Sequence, residues 1–250
     1  MKLLSNEISD KNIFVQKDYS IPKQVKKFKP LCLFISYSGN TEETLSGISD
    51  AKINNFDWIV ISSGGKLIDM AKNEGKEYIQ IPNGLQPRAA FGYLTLAVSK
   101  IVDVVEGSNY VSQLNDVSLY IDKLSDKGDE SDINKLSIDI CESINKKTVI
   151  IYSGTDMSRV VSSRWKTQIN ENAKSKAFIG NLPEVHHNEI LSWDADKDGS
   201  KKNYIVIFIR DQNEHPQIKK RFELTKDLIG EQVDLMDVNI ANQESTLKTL

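Results

Sequence analysis

The sequence predicts an α/β protein made of two similar halves, each a mostly parallel β-sheet flanked by helices. Short apolar runs rich in β-branched residues alternate with segments that have helical periodicity, and each run lies close to a Gly, Pro or Ser. The alternation stops at a polar stretch in mid-chain and then starts again. This pattern is typical of βαβ units, in which a helix connects two parallel strands.

Three strands are predicted in the first half. They are "LCLFIS" (31–36), "WIVISS" (58–63) and "YIQIP" (78–82). The segments between them, "TEETLSGISDAKINN" and "KLIDMAKNEG", have the apolar spacing of amphipathic helices. A longer buried helix is predicted for "RAAFGYLTLAVSKIVDVV" (88–105).

A polar, highly charged stretch with "DKLSDKGDESDINKL" at its centre separates the halves. We interpret 111–146 as a helical linker on the surface, because it lacks the apolar runs that flank it. The predicted domains are therefore 1–110 and 147–250.

The second half repeats the pattern of the first. Its predicted strands are "TVIIYSG" (148–154), "KAFIGN" (176–181), "NYIVIFIRD" (203–211) and "QVDLMDVN" (232–239). The segment "MSRVVSSRWKTQINENAK" predicts a helix between the first two strands.

Composition excludes several classes of protein. The 250 residues are 39% hydrophobic and 27% charged with a net charge of -3, and the basic residues are scattered, so no nucleic-acid partner is expected. No apolar run approaches the roughly 18 residues of a membrane span, and the N-terminus is too weakly apolar for a signal peptide, so we expect a cytoplasmic protein with no membrane partner. Cys32 and Cys141 lie in apolar stretches and are predicted to be buried, inert thiols.

A cluster of hydroxyl side chains follows the first predicted strand in "FISYSGNTEETL". The first backbone N–H groups of a helix are unpaired and its dipole favours negative charge, so Ser36, Ser38 and Thr41 could help to bind an anion there. The simpler interpretation is that Ser38 or Thr41 caps the helix, with Glu42 and Glu43 complementing its dipole. The local pattern alone somewhat favours the cap.

Five motifs in order resemble those of the sugar isomerase (SIS) domain family, and more narrowly those of the bifunctional phosphoglucose/phosphomannose isomerases. They are "SYSGNTEETL", "SSGGKL", "PNGLQPRAAFGYL", "KTQINENAK" and "NLPEVHHNEILSW". The resemblance implies two flavodoxin-like SIS domains and an enzyme that interconverts glucose 6-phosphate or mannose 6-phosphate with fructose 6-phosphate. It further implies a homodimer.

The resemblance assigns roles to single residues. Ser36, Ser38 and Thr41 would bind the substrate phosphate, and Arg88 would stabilise negative charge on the enediolate intermediate. A cation at a helix start is unfavourable on dipole grounds, which favours a functional reason for Arg88 over an ordinary surface arginine.

Two further roles come from the motifs of the second half. Glu171 would be the base that moves a proton between C1 and C2, and His187 would catalyse ring opening from the partner subunit. Glu184, Glu189 and His186 are close rivals that residue chemistry alone does not separate from these two. The ordinary interpretations are an exposed helix glutamate and a packed or capping histidine.

No cofactor is implied, and no compact ligand cluster suggests a metal. The other class of function that fits is a non-catalytic SIS-type module that binds a sugar phosphate. Nothing like the family's Gly-Met-Gly-Gly-Ser turn precedes "VQKDYSIP", and the family continues past a segment like "NQESTLKTL" into one that supplies a lysine and a threonine to the sugar site. We therefore expect a family member that lacks a block at each end, and we assign no role to Thr246, Lys248 or Thr249.

Overall fold

A computed structural model of the chain describes residues 11–125, 132–195 and 197–240. Each of two compact units contains a parallel sheet flanked by helices, which confirms the predicted α/β class. The boundary between the units falls between Leu114 and Asn115. Thr246, Lys248 and Thr249 lie outside the described residues.

Unit 1 has a three-stranded parallel sheet in the order β1-β2-β3. Its elements are α1 (Lys23–Lys26), β1 (Cys32–Ile35), α2 (Glu42–Ile53), β2 (Trp58–Ser62), α3 (Gly65–Asn73), β3 (Tyr78–Gln80) and α4 (Phe91–Glu106), with a 3-10 turn at Pro87–Ala89. All three predicted strands form, with ends that differ by one or two residues.

The core of unit 1 lies where α2 and α3 cover the sheet. Ile48 of α2, Val60 of β2 and Leu67 of α3 are fully buried in one apolar cluster. Gly47 lets α2 approach the sheet closely, because a Cβ there would lie 2.9 Å from the ring of Phe34. This packing fixes the start of both helices at the edge where the strands end.

The prediction of a buried helix over 88–105 is only partly correct. Residues 97–99, 101 and 102 of α4 are buried, but Phe91 is 49% exposed and Val104 81% exposed. The apolar residues of α4 occupy more of the helix surface than unit 1 covers, so periodicity alone overstated the burial.

Two helices, α5 (Tyr110–Ser125) and α6 (Asp132–Ile144), occupy the segment predicted as a linker. The turn into α5 is tied to the end of α4, because the Asp103 carboxylate accepts hydrogen bonds from the backbone N–H of Tyr110 (2.7 Å) and of Val111 (2.9 Å). Burial alone would raise the pKa of Asp103, but a hydrogen bond from the Ser108 hydroxyl (2.6 Å) and these two backbone bonds lower it below its usual value.

Unit 2 has a four-stranded parallel sheet in the order β5-β4-β6-β7. Its further elements are β4 (Thr148–Ser153), α7 (Asp156–Glu171), β5 (Ala177–Asn181), α8 (Val185–Asn188), α9 (Lys197–Asn203), β6 (Tyr204–Asp211), α10 (Pro216–Ile229) and β7 (Asp234–Ile240), with a 3-10 turn at Ile190–Asp194. The chain adds β5 on one side of β4, and β6 and β7 on the other. The strand order therefore reverses between β4 and β6, the place where α/β sheets commonly bind ligands.

The cysteine prediction is wrong for Cys141, which is exposed on α6 beside the buried Ile140. Apolar neighbours in sequence do not bury a residue that points away from the covered face of its helix. Cys32 is half-buried, and burial raises its thiol pKa to about 11. In the described ranges no helix has the length and apolar character needed to cross a membrane.

Candidate functional site

The hydroxyl cluster predicted from the sequence lies in the loop between β1 and α2, at the carboxyl edge of the unit 1 sheet. Thr41 occupies the N-cap position of α2, but its side chain makes no capping hydrogen bond. Instead, Thr41 Oγ1 and Ser36 Oγ form a hydrogen bond of 2.6 Å. The simpler interpretation of a capping Thr41 is therefore wrong, and the first turn of α2 is left without a side-chain cap.

The rest of this loop is held by the neighbouring loop between β2 and α3. The Gly39 carbonyl accepts a hydrogen bond from Leu67 N (3.0 Å), and Asn40 Oδ1 accepts one from Lys66 N (3.2 Å). Both bonds pair N–H groups at the start of α3, whose N-cap residue, Gly64, has no side chain to do so. The loop between β1 and α2 thus caps α3 and leaves the start of α2 without a side-chain cap.

Glycines allow the two loops to touch. Gly39 has a φ of +68°, and a Cβ there would lie 1.8 Å from the Gly64 carbonyl oxygen. Gly65 has a φ of +70°, and a Cβ there would lie 2.4 Å from the Ser38 carbonyl oxygen. The positive φ angles and the close approach each favour glycine at both positions.

The backbone of Tyr37 is anchored to the same neighbouring loop. Its carbonyl accepts hydrogen bonds from Ser63 N (3.0 Å) and Ser63 Oγ (2.6 Å), while the Ser62 hydroxyl donates its one hydrogen to the nearer Gly64 carbonyl at 2.8 Å. Ser62 is fully buried, whereas Tyr37 and Ser63 are half-buried, so these bonds are partly shielded from water. They fix the position of the hydroxyl cluster relative to the end of β1.

Arg88 lies at the same carboxyl edge, on the 3-10 turn after β3. It is half-buried, and its Nη1 donates to Gln86 Oε1 at 3.4 Å. The Tyr37 hydroxyl donates to the Pro82 carbonyl (3.2 Å) and accepts from Leu85 N (2.8 Å), which links the loop of Ser36 and Ser38 to the segment that leads to Arg88. The predicted phosphate ligands and Arg88 therefore occupy adjoining loops of one unit.

The corresponding loop of unit 2, between β4 and α7, is less suited to an anion, although its "YSGT" resembles the "YSGNT" of unit 1. Thr155 and Ser158 form a capping box at the start of α7, in which Ser158 N donates to Thr155 Oγ1 (3.1 Å) and Thr155 N to Ser158 Oγ (2.9 Å). Thr155 Oγ1 also bonds the carboxylate of Asp211 at 3.0 Å. Paired N–H groups and an adjacent carboxylate both disfavour an anion, so unit 1 carries the better anion site.

Glu171 is the last residue of α7, at the opposite edge of the unit 2 sheet. A helix of 16 residues is about 24 Å long, so Glu171 lies far from Thr155, close to where β5 begins. Its side chain is exposed, and its carbonyl accepts a hydrogen bond from Lys174 Nζ (2.6 Å). A carboxylate at a helix C-terminus is unfavourable on dipole grounds, which favours a reason other than helix stability for its presence.

His187 lies on α8, just beyond the carboxyl end of β5. Leu182, which follows β5, donates from its N–H to the Ser153 carbonyl (2.8 Å) and so lies beside the end of β4. His187 is exposed five residues later. Glu171 and His187 therefore lie at opposite edges of one sheet.

The neighbouring His186 has a structural role. Its Nδ1 accepts a hydrogen bond from Arg221 Nη1 (3.1 Å), since arginine can only donate, and its Nε2 lies 2.7 Å from Thr225 Oγ1. The Thr225 hydroxyl donates its own hydrogen to the Arg221 carbonyl (2.8 Å), so Nε2 carries the ring proton. Burial lowers the pKa of His186, with Arg221 and His187 adding to the shift, and the ring is held neutral.

The two rival glutamates are also engaged by neighbours. Glu184 Oε1 accepts a hydrogen bond from Asn188 Nδ2 (3.1 Å), and Glu189 Oε2 accepts one from the Tyr152 hydroxyl (3.4 Å). These contacts stabilise α8 and its junction with the core, and they favour His187 over its neighbours as the group available to a ligand.

Comparison with known proteins places this architecture in a family. Residues 133–250 match the family described as bacterial phospho-glucose isomerase C-terminal SIS domain. A bifunctional phosphoglucose/phosphomannose isomerase from Aquifex aeolicus is 35% identical over 91% of this chain and 67% of its own length. One from Thermoplasma volcanium is 33% identical over 95% of this chain and 72% of its own length. The chain belongs to the bifunctional phosphoglucose/phosphomannose isomerase family.

Solved structures agree on the fold of this family member. A glucosamine-6-phosphate deaminase from Thermotoga maritima superposes with a TM-score of 0.62 at 15% identity, over 95% of this chain and 67% of that one. The chain thus spans about two thirds of the length of the family relatives and of this structure.

The residues that shape the site without contacting a ligand were not predicted from the sequence. Tyr37, Gly39 and Ser62 lie in the quoted motifs, but no role was predicted for any of them. The signal for Gly39 was available, because a glycine between a strand and a helix often marks a positive φ. The bonds made by the Tyr37 hydroxyl join residues 45 and 48 positions apart and have no local signal.

The contacts of His186 predict a pH-dependent stability. The lowered pKa means that folded His186 resists a proton that the unfolded chain accepts below about pH 6.5. Its contribution to stability is present above that pH and is lost as the pH falls through the lowered pKa. We expect melting temperatures measured from pH 7.5 to 5 to fall less steeply for His186→Gln than for the wild type, and equal slopes would contradict this assignment.

Proposed function

We propose that the chain is an aldose–ketose isomerase that interconverts glucose 6-phosphate or mannose 6-phosphate with fructose 6-phosphate. The observation that carries the proposal is the uncapped start of α2, where Ser36, Ser38 and Thr41 adjoin the segment of Arg88. A phosphate would take the unpaired N–H groups of the helix, and the hydroxyls would add donors. Family membership supplies the substrate class.

The proton transfer is assigned to Glu171. Its carboxylate would remove the proton from C2 of the open-chain aldose, leaving a cis-enediolate, and would return the proton to C1 to give the ketose. Arg88 would stabilise the negative oxygen of that intermediate. Oxidation at one carbon is matched by reduction at its neighbour, so the reaction balances without a redox cofactor.

Ring opening is assigned to His187. An imidazole can both donate and accept a proton, which suits the transfer of a proton between the ring oxygen and the anomeric hydroxyl. We propose a homodimer in which His187 serves the site of the partner subunit, because Glu171 and His187 lie at opposite edges of one sheet. A cytoplasmic location accords with this metabolic class.

A coupled assay tests the function. Purified full chain is given fructose 6-phosphate, and glucose 6-phosphate and mannose 6-phosphate are each measured through a separate dehydrogenase-coupled reaction. Turnover of fructose 6-phosphate above a Glu171→Gln control supports the proposal. Thermal stabilisation by fructose 6-phosphate or 5-phosphoarabinonate without turnover would instead indicate a non-catalytic sugar-phosphate-binding module.

A further inference from the structure

Tyr37 is held at both ends by different loops. Its carbonyl accepts hydrogen bonds from Ser63 N and Ser63 Oγ, whereas its hydroxyl bonds the Pro82 carbonyl and Leu85 N. The side chain is half-buried, and its rigid ring spans the distance between the two loops. One residue therefore joins the phosphate loop, here defined as residues 36–41, to the segment that follows β3.

The segment that Tyr37 reaches is otherwise exposed. Residues 82–87 all lie at the surface, and Gly84 turns the chain with a φ of +86°. The segment is fixed at its start by the hydrogen bond from Ile81 N to the Ser62 carbonyl (2.9 Å) and at its end by the buried Ala90. Between these points, the Tyr37 hydroxyl both donates to and accepts from the backbone.

Arg88 lies three residues after Leu85, on the turn that this hydroxyl anchors. Displacing a charged group by about 1 Å from its working position can lower a reaction rate by roughly 10²-fold. We propose that Tyr37 is a positioning residue, whose hydroxyl holds the turn of Arg88 at a fixed place relative to the phosphate loop. The inference rests on the proposed function and adds to it a residue that does not contact the reacting atoms.

The carbonyl and the hydroxyl of Tyr37 make separate contacts, so a mutation can remove the contacts of the hydroxyl and leave those of the carbonyl. Tyr37→Phe retains the ring and the carbonyl anchor to Ser63, but removes the hydroxyl's bonds to the Pro82 carbonyl and to Leu85 N. We expect kcat for fructose 6-phosphate to fall at least roughly tenfold, whereas KM and the Kd for inorganic phosphate change less than about twofold. Tyr78→Phe is the matched control, because the Tyr78 hydroxyl has no hydrogen bond within residues 11–125, 132–195 and 197–240.

Amide hydrogen exchange gives a readout that needs no turnover. Exchange of residues 83–90 should accelerate in Tyr37→Phe and stay unchanged in Tyr78→Phe, since Leu85 N loses its acceptor only in the first. Unchanged exchange in Tyr37→Phe would overturn the proposal, as would a wild-type kcat alongside faster exchange. If the wild type had no turnover, the proposed function would fail, while exchange would still decide whether Tyr37 holds this segment.

A double mutant tests whether Tyr37 acts through Arg88. In an Arg88→Ala background, Tyr37→Phe should lower kcat no further, because the group that it positions is already absent. A further tenfold loss in the double mutant would show that Tyr37 acts by another route and would overturn the assignment.

Discussion

Glu171→Gln should lower kcat for fructose 6-phosphate by about 10² to 10⁴-fold, the range that a positioned general base supplies. The amide has nearly the shape of the carboxylate but cannot accept the proton from C1 of the ketose, which must be removed before the proton is returned at C2. The side chain is exposed at the end of α7, so we expect the melting temperature to stay within about 2 °C of the wild type. Initial rates and calorimetry on the full chain measure the two quantities.

The variant Glu184→Gln tests whether Glu184, and not Glu171, is the base. Glu184 is also exposed, and its oxygen accepts a hydrogen bond from Asn188 that an amide oxygen can still accept. We expect Glu184→Gln to retain the wild-type kcat. A loss in Glu184→Gln with none in Glu171→Gln would exchange the roles of the two residues.

The positions of Glu171 and His187 also predict complementation between inactive subunits. In a symmetric dimer whose sites combine Glu171 of one subunit with His187 of the other, a mixture of Glu171→Gln and His187→Ala chains forms some hybrids with one intact site. An equal mixture refolded together should regain about a quarter of wild-type activity, because half of the dimers are hybrids and each has one working site. No recovery would indicate that both residues serve the same site from one chain.

Regular structure was predictable from the sequence because its determinants are local. The strands β4 and β6 are mostly buried on both faces, as is usual in a parallel sheet, and they therefore read as continuous apolar runs. This continuous apolar character distinguishes them from the helices around them. The exposure of Val104 was not predictable, because it depends on whether another surface covers α4. Sequence periodicity reports which residues share a face and not what lies against that face.

The two helix starts show why the site was only partly predictable. Both α2 and α7 have a threonine at the N-cap after a Ser-Gly pair, so local sequence predicts the same cap in both. Thr155 forms a capping box with Ser158, three residues later, and its hydroxyl also bonds Asp211, which lies 56 residues away in the chain. Thr41 instead bonds Ser36, five residues earlier. The choice between cap and anion site is thus made by contacts that no short motif contains.

Gly39→Ala should destabilise the chain and remove phosphate binding together. A non-glycine residue at a φ of +68° costs about 1 kcal/mol or more, and the added Cβ would lie 1.8 Å from a backbone oxygen that no rotamer change can move. We expect the free energy of unfolding of unit 1 to fall by at least about 2 kcal/mol, which lowers its melting temperature by roughly 8–16 °C. Calorimetry of the full chain measures this change.

Phosphate affinity is the second readout for Gly39→Ala, because the clash separates the loop of Ser38 from the loop of Gly64. The Kd for inorganic phosphate, measured below the melting transition, should rise more than about tenfold as the N–H groups at the start of α2 lose their common orientation. Gly64→Ala is the matched control, since its backbone is extended and a Cβ there would meet nothing within 4 Å. A destabilised Gly39→Ala that binds phosphate as tightly as the control would show that the anion binds elsewhere.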